Sequence, residues 1–172
     1  QSCASNTETW IPSYLTSDEK VVITNLVDII IPKTATTPAA TEVGVPQFID
    51  NYILEVLKVK DQEITRAAFN KIITLLKPDS ESNLDDVTQE QYKALLDEQM
   101  FLSKEIDPER EANPEALEMT SSEFLNQLKW MTIYAYKHSE EVGENILAYD
   151  PIPTAYYCGD LQELTGGKSY SL

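Results

Sequence analysis

The chain has 172 residues, with 29 acidic and 13 basic side chains and a net charge of −16. That length suits one domain burying roughly 70% of its unfolded surface, and that charge repels nucleic acid phosphates and anionic lipid headgroups alike. No apolar run approaches the roughly 18 residues of a spanning helix, so the acidity reads as a solvated surface or as the complement of a basic partner.

Residues 1–14 are polar and lack helical periodicity, with Trp10 and Tyr14 as the large anchors and Pro12 opposing a helix. They read as an extended N-terminal arm whose end, Trp10 to Leu15, lies against the body of the protein, because a large apolar ring gains nothing in water. At the start, a small residue before Cys3 and a polar stretch after it resemble the end of a bacterial lipoprotein signal. With a signal upstream of Gln1, Cys3 would carry lipid and the arm would be a tether. The alternatives are an ordinary thiol, or a pairing of Cys3 with Cys158, which would exclude lipidation of Cys3 by thioether. Residues 15–172 read as a single helical domain that includes the tail from about residue 138.

Thr16 and Glu19 stand at capping-box spacing, in which a hydroxyl and a carboxylate satisfy backbone N–H groups reciprocally. Val22, Ile23, Leu26, Val27 and Ile30 then form an apolar stripe at helical spacing, and Pro32 disfavours helical geometry at Ile31. After a short crossing from Lys33 to Glu42, Pro46 suits the first turn of a second helix. Its apolar set is Val45, Phe48, Ile49, Tyr52, Ile53 and Val56. A third helix is expected over Asp61 to Lys77, with Ile64, Ala68, Phe69, Ile72, Leu75 and Leu76 on one face. The aromatic stripe Phe48, Tyr52 and Phe69 reads as core.

Pro78 to Asp86 is a polar surface loop. Thr88 and Gln91 repeat the capping-box spacing and open a fourth helix through Tyr92, Leu95, Leu96, Met100 and Phe101, fading near Ile106. Asp107 to Glu118, with two prolines and several charges, is expected to be irregular with at most a turn of helix. Thr120 and Glu123 cap a last long helix to about Lys137, with Phe124, Leu128, Met131 and Ala135 on one side and Leu125, Thr132 and Tyr136 beside them. From His138 the prolines and glycines among aromatic residues predict an ordered tail without regular structure. The fold class is therefore all-α: an irregular bundle of about five helices with an extended N-terminal arm and a non-regular C-terminal tail.

Few patterns carry catalytic chemistry. His138 is the sole histidine, so a histidine-rich metal site is ruled out, and it reads as a cation ending a helix rather than a general base, since no nucleophile accompanies it. No phosphate-binding glycine loop, nucleophile elbow or haem-attachment motif occurs. The pairs Asp85–Asp86 and Glu140–Glu141 lack the alternating ligands and glycine of a calcium loop and read as solvated charge. The tail differs: Tyr149, Asp150, Pro151, Ile152, Pro153, Tyr156 and Tyr157 are the stiff and aromatic residues enriched at interfaces. They would either cap their own bundle or meet another protein.

Two segments carry a family resemblance: E-x-G-V-P-x-F-I-D at Glu42 to Asp50, following I-I-P and a Thr/Ala turn, and Y-D-P-I-P with Tyr157, Cys158 and Gly159 beyond it. Together the chain resembles the gluconate 2-dehydrogenase subunit 3 family, small accessory subunits of membrane-associated bacterial flavin dehydrogenases. Thr154 and the order Cys158–Gly159 depart from the family's tail, which has glycine after P-I-P and Gly before Cys. The resemblance implies a non-catalytic, exported subunit, periplasmic or anchored in the cell envelope. It would bind a large flavoprotein subunit and assist its maturation or export, with a cytochrome subunit accepting electrons. FAD and haem would belong to those partners, and no cofactor or metal to this chain. It also favours an interface at Tyr149 to Tyr157. The alternative from another class is a free-standing periplasmic or surface module binding carbohydrate through Trp10, Trp130 and the tail tyrosines.

Overall fold

The computed structural model describes residues 10–77, 83–100, 102, 106–150 and 159–171. Among these, five helices exceed two turns: α1 (Ser17–Ile30), α2 (Val45–Glu55), α3 (Val59–Leu76), α4 (Gln89–Gln99) and, after the short α5 (Pro108–Ala112), α6 (Ser121–Lys137). A π-helical turn (Glu141–Ile146) and a short α7 (Leu161–Thr165) follow. The all-α bundle read from the sequence is the architecture observed.

Three of the long helices begin at the expected capping boxes. Thr16 Oγ1 accepts the Glu19 N–H at 3.3 Å while Glu19 Oε2 accepts the Thr16 N–H at 2.8 Å, and the same reciprocity holds for Thr88 with Gln91 and Thr120 with Glu123. Helix α2 starts differently. Gly44 lies in the left-handed region at φ 76°, which side chains bearing a Cβ rarely adopt, and Pro46 follows in the first turn, where a missing N–H removes no helical hydrogen bond.

The core is where five stripes meet: Val22, Ile23, Leu26 and Val27 of α1, Val45, Ile49 and Ile53 of α2, Ala68, Phe69 and Ile72 of α3, Tyr92, Leu95 and Leu96 of α4, and Phe124, Leu125 and Leu128 of α6. Each large aliphatic side chain so buried contributes about 1.5–3 kcal/mol. The Phe69 and Phe124 rings meet edge to face, 4.8 Å apart. Helices α1 and α6 each touch all the other long helices, so they form the axis of the bundle.

Two buried carboxylates fasten the N-terminal segment to this core. Asp50, fully buried on α2, accepts the backbone N–H groups of Ser13 (2.7 Å), Tyr14 (3.0 Å) and Leu15 (2.8 Å). Glu19 accepts Arg66 Nη1 at 2.7 Å, and Arg66 Nη2 donates to the Tyr14 carbonyl at 3.0 Å with its guanidinium stacked over the Tyr14 ring. Trp10 and Tyr14 pack against the core, as expected for the end of the arm.

The structure corrects several details. Helix α4 ends at Gln99, not near Ile106, and α3 begins at Val59, two residues before Asp61. Phe48 (37% exposed) and Leu75 lie at the surface because each sits at the edge of its apolar arc, and Val56 because it follows the last residue of α2. Of the expected aromatic core stripe, Phe69 alone is fully buried; Tyr52 is half-buried. The tail has more regular structure than its composition suggests. Besides the π-helical turn and α7, Ala148 forms a parallel bridge with Tyr170: the Ala148 N–H donates to Ser169 O and the Ser171 N–H to Ala148 O, both at 2.8 Å. Gly143 lies close under this return: a Cβ there would stand 3.2 Å from Ser171 Oγ, a tight contact.

Between α4 and α6 the expected irregular excursion contains a single short helix, α5, and Arg110 ties it down. Its guanidinium donates to Glu123 Oε1 (3.2 Å) and Oε2 (2.6 Å) and to the carbonyls of Asn113 (3.3 Å), Ala116 (2.8 Å) and Glu118 (3.0 Å).

An aromatic groove between α2 and α6 as the candidate functional site

Helices α2 and α6 pack side by side and leave an open groove of about 820 Å³ along their outer edge, lined by Phe48, Tyr52, Gln127, Trp130, Met131, Ile133, Tyr134, Lys137 and His138. Helical spacing explains the lining. On α2 the residues at offsets of four from Val45, namely Ile49 and Ile53, face the core, so Phe48 and Tyr52, one position earlier, fall on the flank. On α6 the inward series Phe124, Leu128 and Ala135 is buried, and Gln127, Trp130, Tyr134 and Lys137 run beside it at offsets of three and four.

The rings form a connected surface. Phe48 stacks near Tyr52 at 6.2 Å between centroids and meets Tyr134 at 6.1 Å, and Tyr134 stacks on His138 at 4.0 Å. The His138 imidazole is oriented by a 2.8 Å contact from Nδ1 to the Tyr134 carbonyl oxygen, which makes Nδ1 the protonated nitrogen since a carbonyl only accepts. Trp130 is 64% exposed and Tyr134 54%, with the Lys129 ammonium 5.0 Å from the Trp130 ring centroid. Beneath the groove, Gln127 and Met131 close the floor against Ile53 and Phe69, where only about 10 Å³ of space remains. The surface is thus wide, shallow and firmly backed.

Its electrostatics differ from the rest of the chain. Although the sequence has 29 acidic side chains, none among the described residues lines the groove, whose polar groups are the Tyr52 and Tyr134 hydroxyls, the Gln127 amide, the Lys137 ammonium and the His138 imidazole. Acidic residues resume just beyond, at Glu140 and Glu141. Such a lining offers aromatic faces and hydrogen-bond donors to an apolar partner bearing a carboxylate.

Of the tail residues singled out as an interface, Tyr149 is 52% exposed and Asp150 is also at the surface. Pro151, Ile152, Pro153, Tyr156, Tyr157 and the candidate lipid site Cys3 lie outside the described residues. The two tryptophans considered as stacking platforms separate: Trp10 packs on the core with Lys20 over its ring, whereas Trp130 is open in the groove. His138 caps the C-terminal end of α6, as its position suggested. The groove itself escaped the sequence reading, although a signal was present: from Phe48 to Ile53 the apolar arc of α2 spans about 140° at 100° per residue, wider than one neighbouring helix can cover.

Among the described residues, no three His, Cys, Asp or Glu side chains stand together as a metal site would require, and no helix is long and apolar enough to cross a membrane. Comparison with known proteins finds that the family described as Gluconate 2-dehydrogenase subunit 3 matches residues 17–153, from the first turn of α1 through both walls of the groove and into the tail. No curated protein and no solved structure matches.

Proposed function

The chain belongs to the gluconate 2-dehydrogenase subunit 3 family, and on that premise we propose that it is a non-catalytic accessory subunit of an exported, flavin-dependent sugar or sugar-acid dehydrogenase. In this reading it binds the large flavoprotein subunit and assists its folding, maturation or export. FAD then resides in that subunit and haem in a cytochrome subunit that accepts the electrons. Dehydrogenation belongs to the partner, and this chain supplies a rigid contact surface. The protein acts in the periplasm or on the cell envelope, with Cys3 as a lipid site. The observation that supports the reading best is the firmly backed aromatic groove, whose exposed Phe48, Trp130 and Tyr134 are the residue types that dominate protein–protein contacts.

The test is purification of the tagged chain from its native host, followed by an absorbance spectrum. A complex with flavin absorbance and a second, larger polypeptide is the expected result; a colourless, solitary chain refutes the proposal. The exposed ring of Trp130 beside the Gln127 amide also suits stacking on a sugar, which favours the binding-module reading as the second choice. Saturable quenching of tryptophan fluorescence by glucose or gluconate, abolished in Trp130→Phe, would establish that reading instead.

A further inference from the structure

We infer that the α2–α6 groove is the surface on which the flavin-bearing subunit docks, and that it receives an apolar segment of that subunit carrying an Asp or Glu that reaches Lys137. This rests on the accessory-subunit reading and specifies its contact. The choice of occupant follows from charge. A chain of net charge −16 repels acidic surfaces over most of its own, yet among the described residues the groove lining holds no carboxylate and places Lys137 at one end, with Lys129 beside Trp130. A segment with apolar side chains and a carboxylate fits there and is repelled elsewhere, so the same feature gives attraction and register.

Other occupants fit less well. In a symmetric pair of this chain, the same patch would face itself, setting Lys137 near its own copy and bringing two strongly acidic bodies together. A single sugar ring would cover one or two of the four aromatic rings, Phe48, Tyr52, Trp130 and Tyr134, and leave the remainder of an approximately 820 Å³ groove in water. An apolar peptide segment covers them all, in the manner of side chains laid into a groove between helices.

The test uses the full chain in its native host, with the photo-crosslinker p-benzoylphenylalanine at position 130, and parallel strains carrying Trp130→Ala, Lys137→Glu and, as a control on an exposed lysine at the start of α3, Lys60→Glu. The readouts are flavin recovered per mole of tagged chain, the sequence of the cross-linked peptide and the circular dichroism of each variant. Trp130 and Lys60 are exposed and Lys137 lies at the end of its helix, so all variants should retain the helical spectrum. Expected are a cross-link to an apolar, carboxylate-bearing segment of the flavoprotein, and flavin recovery lowered by about tenfold or more in Trp130→Ala and Lys137→Glu but unchanged in Lys60→Glu. Full flavin recovery in both groove variants overturns the inference and leaves the accessory reading standing. So does a cross-link to a second copy of this chain, or to a segment without Asp or Glu. Absence of flavin from the unmodified chain overturns both.

Discussion

Replacing Asp50 with Asn tests how the N-terminal segment is held. In the native protein Asp50 Oδ2 accepts the Ser13 N–H at 2.7 Å, and Oδ1 accepts those of Tyr14 at 3.0 Å and Leu15 at 2.8 Å. The asparagine amide keeps one oxygen for Tyr14 and Leu15 but turns an NH2 group toward the Ser13 N–H, donor against donor. One charge-assisted bond is lost and two are weakened, at about 1.5–3 kcal/mol per bond to a charged group. Ser13 is exposed, so water offsets part of that loss, and a destabilisation of about 2 kcal/mol is expected for Asp50→Asn. Asp50→Ala orphans all three donors and opens space in the core, at about 3–5 kcal/mol. For a domain of this size the first corresponds to a melting-temperature drop of roughly 4–8 °C. The assay is urea unfolding in a Trp130→Phe background, so that Trp10, adjacent to the fastened segment, is the sole tryptophan; its emission should shift to the red in native Asp50→Ala as well as on unfolding. A cost below about 0.5 kcal/mol in both variants, with native Trp10 emission unchanged, would refute the idea that Asp50 holds residues 13–15 against the bundle.

Arg110→Lys should destabilise the excursion between α4 and α6 almost as much as Arg110→Ala, because an ammonium cannot reproduce the fork that spans Glu123 and three carbonyls; faster proteolysis between Asn113 and Glu118 in both variants is the measurement. Glu109 should contribute an acid-sensitive component of stability. Partial burial raises its pKa, but hydrogen bonds from Ser121 and from Lys71 outweigh this and hold it below the ordinary value. A carboxylate whose folded pKa is depressed stabilises above its unfolded pKa, near 4.3, and loses that contribution as pH falls through the folded value. The urea midpoint should therefore fall less steeply in Glu109→Gln than in the native protein below about pH 4.3, and parallel curves would contradict this. Ile49→Ala should cost about 2–5 kcal/mol and Phe48→Ala less than about half of that, measured by the same unfolding experiment; equal costs would mean that Phe48 is not a surface residue.

Much of the bundle was legible because its signals are local. A capping box lies within four residues, and Thr16, Thr88 and Thr120 each mark a helix start that the structure reproduces. The inward stripes of α1 and α6 also follow from spacing alone. What was not legible depends on pairings distant in sequence. The bridge from Ala148 to Tyr170 and the close approach of Gly143 to Ser171 join segments more than twenty residues apart, and no periodicity announces them. Likewise, spacing delimits the apolar arc of α2 but not the edge its neighbours leave uncovered, so spacing alone does not separate Phe48 from Ile49.

The short motif at the start of α2 then divides by physical task. Glu42 ties the crossing, its Oε2 accepting the Ala39 N–H at 2.8 Å and its Oε1 meeting Lys33 at 2.5 Å, and the Lys33 and Ala39 bonds hold its pKa below the ordinary value. Gly44 supplies the left-handed turn, where a Cβ would meet nothing closer than 4.0 Å, so conformation rather than space demands glycine. Val45, Pro46 and Ile49 are buried, and Asp50 fastens residues 13–15. Phe48 alone among the large side chains of the motif turns outward, to the groove. Its neighbours account for how the helix is built and placed. At 37% exposure the Phe48 ring packs in part against Tyr52 and Tyr134 and offers the remainder to the groove. That residue therefore links the segment carrying the family resemblance to the aromatic surface proposed to meet another subunit.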